Sequence, residues 1–518
     1  MTNHQPSTGL DESLQKITKG AGIAFLGAGA GMGLAFLNRV LVARIGTETE
    51  YGIFSLAFVV FNICAVIGTV GLQQGAPRMI AFARGEGNEE KVKYLIPASI
   101  QLGLLASILI AATLFFTADL LADNVFHEDS LSHPVRIVAF GIPFFVMINV
   151  LASIFRGFDN VKPKAYFLDL LRNLLFCAFL VPFIFMDWQF DSIFYAFVGS
   201  FGVAAIGLAV YTFKYLPVRI SLMVTHKTRE LLVFSLPLVA ITMLQMIIIW
   251  TDTLMLGGFK TTVEVGMYNA AHPIAQFLQF PLATMGLIYV PVISGLYAQS
   301  SVIEIRRNFI VLTKWVCWIT FPLFLILFIH PDTVLSFLFG GSYSEASDAL
   351  RILSFGFMVH TLMGPNGATL IAMGRNQFVM WTTLATATLN IILNIVLIPR
   401  FGIEGAAIAS MAALVSTNAI VSYKLYYVSK IHPLGRSLMK PIVLALALVF
   451  VTQLILGTFV EVEGWMLPFL MVLYYCVFGL SVLFTRSFTD EDIALLEMIG
   501  KRTGINTSPL RAVINRFL

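Results

Sequence analysis

Ionisable and strongly polar side chains interrupt long apolar runs along this 518-residue chain, and any chemistry is expected there. Such groups are costly inside lipid and usually face a cavity, a partner or an ion path. Asp169, Arg172 and Lys314 stand near one end of their runs. Gln245, His360, Asn390 and Asn394 stand mid-run. Asn38, Arg39, Asp252, Asn269, His272 and Arg351 stand towards the other end. At about 1.5 Å per helical residue they cover most of a membrane's depth, so they read as a polar track rather than one isolated site. Each also has a plainer reading. Asp169 and Arg172, three apart on one helix face, can neutralise each other. Arg39, Arg44 and Arg351 can snorkel to the surface. His360 can be a neutral, hydrogen-bonded core residue. No constellation for catalysis accompanies them: there is no H-E-x-x-H, no phosphate-binding Walker loop and no nucleophile elbow. Cys64, Cys177, Cys317 and Cys476 each lie in an apolar run without a C-x-x-C pair, so free thiols and no disulfide, metal site or cofactor are expected.

The elements that must hold these groups are helices. The chain is 58% hydrophobic and 12% charged, with mean hydropathy +0.85; a soluble protein carries about 25% charged residues. The fold class is therefore an all-α polytopic membrane protein. A span needs about 20 apolar residues, and fourteen stretches qualify: 18–43, 51–72, 94–117, 136–157, 164–186, 191–214, 230–257, 264–297, 308–330, 346–372, 377–399, 403–427, 438–458 and 464–485. Lipid offers the backbone no hydrogen-bond partner, which favours helices, and the short alternating segments of a β-barrel are absent. Alternate loops gather Lys and Arg, among them Arg78, Arg84, Lys91 and Lys93, then Arg156, Lys162 and Lys164, then Lys424, Lys430, Arg436 and Lys440. The opposite loops are mostly acidic, with Glu48, Glu50, Asp119, Asp123, Asp332 and Glu463. The positive-inside rule then predicts cytoplasmic termini. Residues 1–17 are polar and the first apolar run is too long for a signal core, so no cleavable signal is expected.

The sequence also echoes itself. Glu50-Tyr51-Gly52-Ile53-Phe54 aligns with Glu264-Val265-Gly266-Met267-Tyr268 at a spacing of 214. Asn173 to Pro182 aligns with Asn390 to Pro399 at 217, and Phe140-Gly141 with Phe355-Gly356 at 215. Asn38 and Asp252 occupy equivalent places, as do Asn173 and Asn390. A doubled unit is implied. The expected organisation is a tail at 1–17, an N-lobe of helices 1–6 at 18–214, a linker at 215–229, a C-lobe of helices 7–12 at 230–428, helices 13–14 at 429–486 and an amphipathic tail at 487–518. Six spans per unit is even, so the copies share an orientation. Gly27, Gly29, Gly31 and Gly33 predict close helix packing in span 1. Pro273, Pro281 and Pro291 predict a bent span 8. Thr489 and Asp492 are spaced as a variant capping box.

Several stretches resemble one family. Arg39 to Ala57, with Ala-Arg-Ile-Gly and Glu-Tyr-Gly-Ile-Phe, resembles the first hinge of polysaccharide-export flippases. These are the Wzx-like branch of the multidrug/oligosaccharidyl-lipid/polysaccharide exporter superfamily. Gly68 to Leu72 followed by Pro77-Arg78, Asp252 followed by Val265 to Ala271, and Leu397 to Ala409 are similar to later passages of that family. The resemblance implies two six-helix lobes around a V-shaped cavity and two extra C-terminal helices. It implies a flippase that moves a lipid-linked oligosaccharide, on polyprenyl phosphate or pyrophosphate, to the outer leaflet by alternating access, with no enzymatic step. Arginine suits phosphate because its planar fork binds two oxygens; Asn and Gln suit sugar hydroxyls because each donates and accepts. On that reading Arg172, Arg39 and Lys314 are expected to meet the head group, with Asn38, Asn173, His360 and Asn390 in the substrate-binding set. Asp252 is the expected ion-coupling carboxylate, for H+ or Na+. The implied partners are the lipid-linked oligosaccharide, membrane lipids and glycan-assembly enzymes, with no nucleic acid; the implied location is the plasma (inner) membrane. The competing readings are an ion-coupled multidrug exporter of the same fold, a membrane-embedded glycan polymerase or acyltransferase, and an envelope-assembly scaffold.

Overall fold

A computed structural model describes residues 8–185, 190–216, 226–433, 435–456, 462–489 and 492. Eighteen α-helices are found among them. The first nine are α1 (Thr8–Ile45), α2 (Glu48–Gly68), α3 (Leu72–Gly85), α4 (Glu89–Leu121), α5 (Ser132–Ala139), α6 (Gly141–Arg156), α7 (Arg172–Phe185), α8 (Ser192–Tyr215) and α9 (His226–Phe259). They are followed by α10 (Thr262–Gln276), α11 (Phe280–Ala298), α12 (Val302–Ile329), α13 (Pro331–Leu338), α14 (Ser347–Leu362), α15 (Asn366–Ala372), α16 (Asn376–Ser429), α17 (Arg436–Leu456) and α18 (Leu467–Phe484). The protein is all-helical, as its composition requires.

Nine helices among the described residues are long and apolar enough to cross a membrane, and twelve if each of three bent pairs is one span. The remaining stretches read from the sequence have a local explanation. Spans 377–399 and 403–427 run together as the 54-residue α16, broken only at Gly402, whose φ of 55° and ψ of −128° turn the chain. Stretch 346–372 is divided between α14 and the short α15. The proline-rich span 8 is bent by 46° between Gly286 and Tyr289. Pro291 has no N–H for the carbonyl four residues earlier, so the helix yields there.

The chain divides into two compact units, residues 1–266 and 267–518. The first is filled by phenylalanines. Phe61, Phe197 and Phe201 meet at centroid separations of 5.1 to 5.5 Å, and Phe54, Phe58, Phe145 and Phe176 join them. Edge-to-face packing of this kind suits the ring quadrupoles. The internal echo appears here as a pair of matched helix starts. Thr47 and Glu50 form a capping box, with the Thr47 amide donating to Glu50 Oε2 at 2.7 Å and the Glu50 amide to Thr47 Oγ1 at 3.3 Å. Thr261 and Glu264 repeat it at 3.1 and 3.5 Å. The two helix starts cross through Gly52 and Gly266. A Cβ on Gly52 would stand 1.7 Å from the Thr262 carbonyl oxygen, and one on Gly266 2.3 Å from that of Glu48. Only glycine lets the backbones approach so closely.

In the second unit, Tyr289, Ile293, Ile305, Phe309, Leu370, Met373, Val421, Leu425 and Ile431 form one apolar cluster. It seats α11, α12, α15 and α16 around the polar side chains described next.

Candidate functional site: two arginines on an aromatic floor

In the first unit, α1 and α7 bring four of the predicted residues together. The small residues of α1 make this possible. A Cβ on Gly27 would fall 2.7 Å from Ala165 Cβ, and one on Gly31 2.7 Å from the Asp169 carbonyl oxygen. The partner segment, Lys164–Leu171, is a π-helical stretch that runs directly into α7. Wider turns of this kind shift the register of the side chains that follow. Asn173 then bridges the two elements: its Nδ2 donates to the Asp169 carbonyl at 2.8 Å and to that of Gly31 at 3.4 Å. Asn38 Nδ2 donates back to the Asn173 carbonyl at 3.0 Å. Both asparagines are buried, so these bonds fix α1 against α7.

The clamp holds two cations over the phenylalanine core. The Arg172 guanidinium lies 4.7 Å from the Phe201 ring centroid, and that of Arg39 lies 5.4 Å from the Phe58 centroid. The two charges are near enough to repel each other. Ring faces compensate a desolvated guanidinium in part. The Asp169 carboxylate is 3.9 Å from Lys164 Nζ and close enough to attract Arg172. Arg172 Nε is buried without a hydrogen-bond partner among the described residues. Lys164 and Arg172 thus share one anion, Asp169, and Arg39 adds a further positive charge beside Arg172. The arrangement favours an incoming anion with several acceptor oxygens. The plainer reading of Asp169 and Arg172 as a closed pair therefore covers only part of what is there.

Asp252 is buried in the first unit. Gln245 has its side chain outside the described residues.

The second unit holds a different set. His360 on α14 and Asn366 on α15 converge on Asn418 of α16. Asn366 Nδ2 donates to Asn418 Oδ1 at 3.1 Å and to Ser422 Oγ at 2.8 Å. His360 Nδ1 lies 2.9 Å from Asn418 Nδ2 and 3.2 Å from its Oδ1, so the same amide can serve either tautomer of the ring. Further along α16, Thr417 donates to Thr386 at 2.8 Å, Asn394 to Asn390 Oδ1 at 3.2 Å, and Asn390 to Ser410 at 3.5 Å. His360 therefore belongs to a group that ties α14 and α15 to α16, whereas Asn390 bonds within α16, joining the segments before and after Gly402. Asn418 went unremarked in the sequence although it carries the signal that marked Asn390, a buried amide inside an apolar run.

Lys314 is placed otherwise than expected. Its ammonium is buried against the Asp492 carboxylate and also donates to Thr489 Oγ1 at 3.1 Å. Trp315 Nε1 donates to the other Asp492 oxygen at 2.9 Å, and the Trp318 ring lies 5.3 Å from the ammonium. The predicted capping geometry is present, with the Thr489 amide donating to Asp492 Oδ2 at 2.8 Å. The Lys314 ammonium is thus ion-paired within the protein. It anchors the segment after α18 to α12. The rest of the amphipathic tail, from 493 onwards, lies outside the described residues.

Comparison with known proteins gives this arrangement a context. Residues 17–297 match the family described as polysaccharide biosynthesis protein. The chain belongs to that family. Residues 237–396 also match the MatE family, so the exporter-superfamily resemblance read from the sequence holds. Among relatives of this polysaccharide biosynthesis family member, the stage V sporulation protein B of Bacillus subtilis is 22% identical over 434 residues, covering 78% of this chain and 81% of its own. The probable low-salt glycan biosynthesis flippase Agl15 of Haloferax volcanii is 27% identical over 164 residues, 31% of this chain and 34% of its own. The fold is similar to the inward closed lipid II flippase MurJ, with a TM-score of 0.66, 14% identity and coverage of 88% of this chain and 98% of that one. It is also similar to an inward-facing multidrug resistance MATE transporter, with a TM-score of 0.64, 16% identity and coverage of 77% and 94%. The chain is a multi-pass membrane protein of transporter fold.

Proposed function

We propose that this protein is a flippase that carries a lipid-linked oligosaccharide, on a polyprenyl phosphate or pyrophosphate, across the plasma membrane to the outer leaflet. The observation that carries the reading is the pair of half-buried guanidiniums, Arg39 and Arg172, held on phenylalanine rings, with Arg172 Nε partnerless among the described residues. A phosphate accepts bidentate bonds from such forks, and its charge offsets the surplus of cations. Asn38 and Asn173 hold the arginines in place through their amide N–H groups, and their Oδ1 atoms, without a partner among the described residues, can still accept from a sugar hydroxyl. Asp252 serves as the ion-coupling carboxylate, for H+ or Na+. The protein acts as a transporter without a chemical step. Lobes at 18–214 and 230–428 alternate access, helices 13–14 at 429–486 flank them, and both termini face the cytoplasm. Glycan-assembly enzymes supply the cargo.

The fold likeness to a MATE transporter supports one rival, an ion-coupled multidrug exporter. Cationic drugs would be repelled by Arg39 and Arg172, which favours the anionic cargo. The deciding experiment reconstitutes the protein in vesicles and follows a fluorescent polyprenyl-pyrophosphate oligosaccharide beside a cationic dye. Arg172→Ala at equal protein content should reduce glycolipid flipping by at least tenfold, about 1.4 kcal/mol. Unchanged flipping, or dye transport alone, would overturn the reading.

A further inference from the structure

The wide turn that precedes α7 reaches the arginine it precedes. Arg172 gives its backbone N–H to the Phe167 carbonyl, five residues back. A turn closed in this way takes in one residue more than an α-helical turn. At 3.6 residues per turn, one surplus residue rotates everything after it by about 100°. The segment Lys164–Leu171 therefore decides whether Arg172 lies over the Phe201 ring, at 4.7 Å, and whether Asn173 meets the Gly31 carbonyl, at 3.4 Å. Lys164 and Asp169 are also five apart in sequence, and their charged ends lie 3.9 Å from each other. On an α-helix, residues five apart point about 140° away from one another, and side chains pair across three or four residues instead. This ion pair is thus specific to the wide turn. Asp169 is gripped through its backbone as well. Its carbonyl accepts from Asn173 Nδ2 at 2.8 Å and stands against Gly31, where a Cβ would fall 2.7 Å away.

We infer that Lys164 and Asp169 are positioning residues: they staple the wide turn in the register that aims Arg172, and neither has to touch the cargo. Only the identity of that cargo rests on the flippase reading. The Asp169 side chain is 19% exposed and that of Lys164 53%, so the carboxylate is the inner half of the staple and the lysine closes on it from the surface. Two other roles suit the same residues, Lys164 as a direct phosphate ligand and Asp169 as a counter-charge for Arg172. In those roles the charge is what matters. In the staple it is the five-residue spacing.

Spacing can be changed without touching charge. Deletion of Tyr166, whose side chain is half exposed, removes the surplus residue. The segment can then close as an α-helix with Arg172 kept in place, and the lysine and aspartate stand four apart, a spacing an α-helix accepts. Lys164→Gln and Asp169→Asn are each made in the undeleted and in the deleted chain. Hydrogen exchange of the 164–173 backbone, read by mass spectrometry on protein in mixed micelles, reports the turn. Affinity for farnesyl pyrophosphate reports the aim of Arg172. The two substitutions remove opposite charges, yet both should speed exchange in the undeleted chain and leave it unchanged in the deleted one. Each should bind farnesyl pyrophosphate up to about fivefold more weakly in the undeleted chain than in the deleted chain, the worth of a partly exposed pair. Equal affinity for each substitution in the two chains would show that charge and not spacing acts, and would overturn the proposal. Unchanged exchange in both undeleted variants would overturn it too, and that result needs no deleted chain to fold. A wild type that binds no farnesyl pyrophosphate, with exchange as expected, would refute the flippase reading while upholding the staple.

Discussion

Replacing Gly52 by alanine should damage this protein far more than one methyl group ordinarily does. The new Cβ would lie 1.7 Å from the Thr262 carbonyl oxygen, 2.6 Å from its carbon and 3.2 Å from the Gly266 nitrogen. Ordinary contact begins near 3.4 Å, so the starts of α2 and α10 must separate by about 1.7 Å, the difference of the two distances. The obstacle is backbone on both sides, and no rotamer change relieves it. Overpacking costs about 1–3 kcal/mol, sometimes more, and this case belongs at or above the upper end. Gly33→Ala is the matched control, since its Cβ would meet nothing within 4 Å. In an unobstructed helix the change from Gly to Ala gains about 1 kcal/mol. The two variants should therefore differ by about 4 kcal/mol. Gly266→Ala, whose Cβ meets the Glu48 oxygen at 2.3 Å, should be destabilising too. The double variant should cost less than the sum, because one separation of the helices relieves both clashes. The assay is denaturant unfolding of the purified protein in mixed micelles, with Trp fluorescence as signal. If Gly52→Ala unfolds with the same midpoint as Gly33→Ala, the helices do not cross at these glycines and the packing argument fails.

Further outcomes follow from the other anchors. Asp492→Asn leaves the Lys314 ammonium buried without its counter-charge, at a cost of about 3–5 kcal/mol; Lys314→Met combined with Asp492→Leu should recover most of it in the same unfolding assay. Thr47→Ala and Thr261→Ala each remove half of a capping box and should each cost about 1 kcal/mol, with similar values because the two caps are built alike. Asn173→Ala should lower flipping through the freed register of Arg172, and transport per folded molecule, measured after normalising to protein in the vesicle, should fall; unaltered transport would separate the clamp from the site.

Much of this fold could be read from the chain. The all-helical class followed from composition, since lipid leaves the backbone no other way to satisfy its hydrogen bonds. The echo that begins at Glu50 and Glu264 reappears as matched helix starts; the Thr47–Glu50 and Thr261–Glu264 caps beneath it went unread, although Thr-x-x-Glu is a local device, complete within one turn. The bend in span 8 and the Thr489–Asp492 cap were legible for the same reason. Polar residues in apolar runs marked Arg39, Arg172, Asn38 and Asn173, and these the fold does bring together.

What could not be read is which partner each buried group takes. Lys314 and Asp492 are 178 residues apart, and nothing local signals that one neutralises the other. The phenylalanine floor is equally silent: in a chain with 45 Phe, only packing selects Phe58 and Phe201 to sit under arginines. Asn38 and Asn173 read as polar groups inside apolar runs, and only the fold shows that their amide nitrogens donate to the backbone carbonyls of Asn173, Gly31 and Asp169. Which stretches become helical is legible locally, because that choice rests on neighbours within a turn. Whether a buried charge is free or spent depends on approaches of a few ångströms between segments far apart in the chain, and only the tertiary structure decides them.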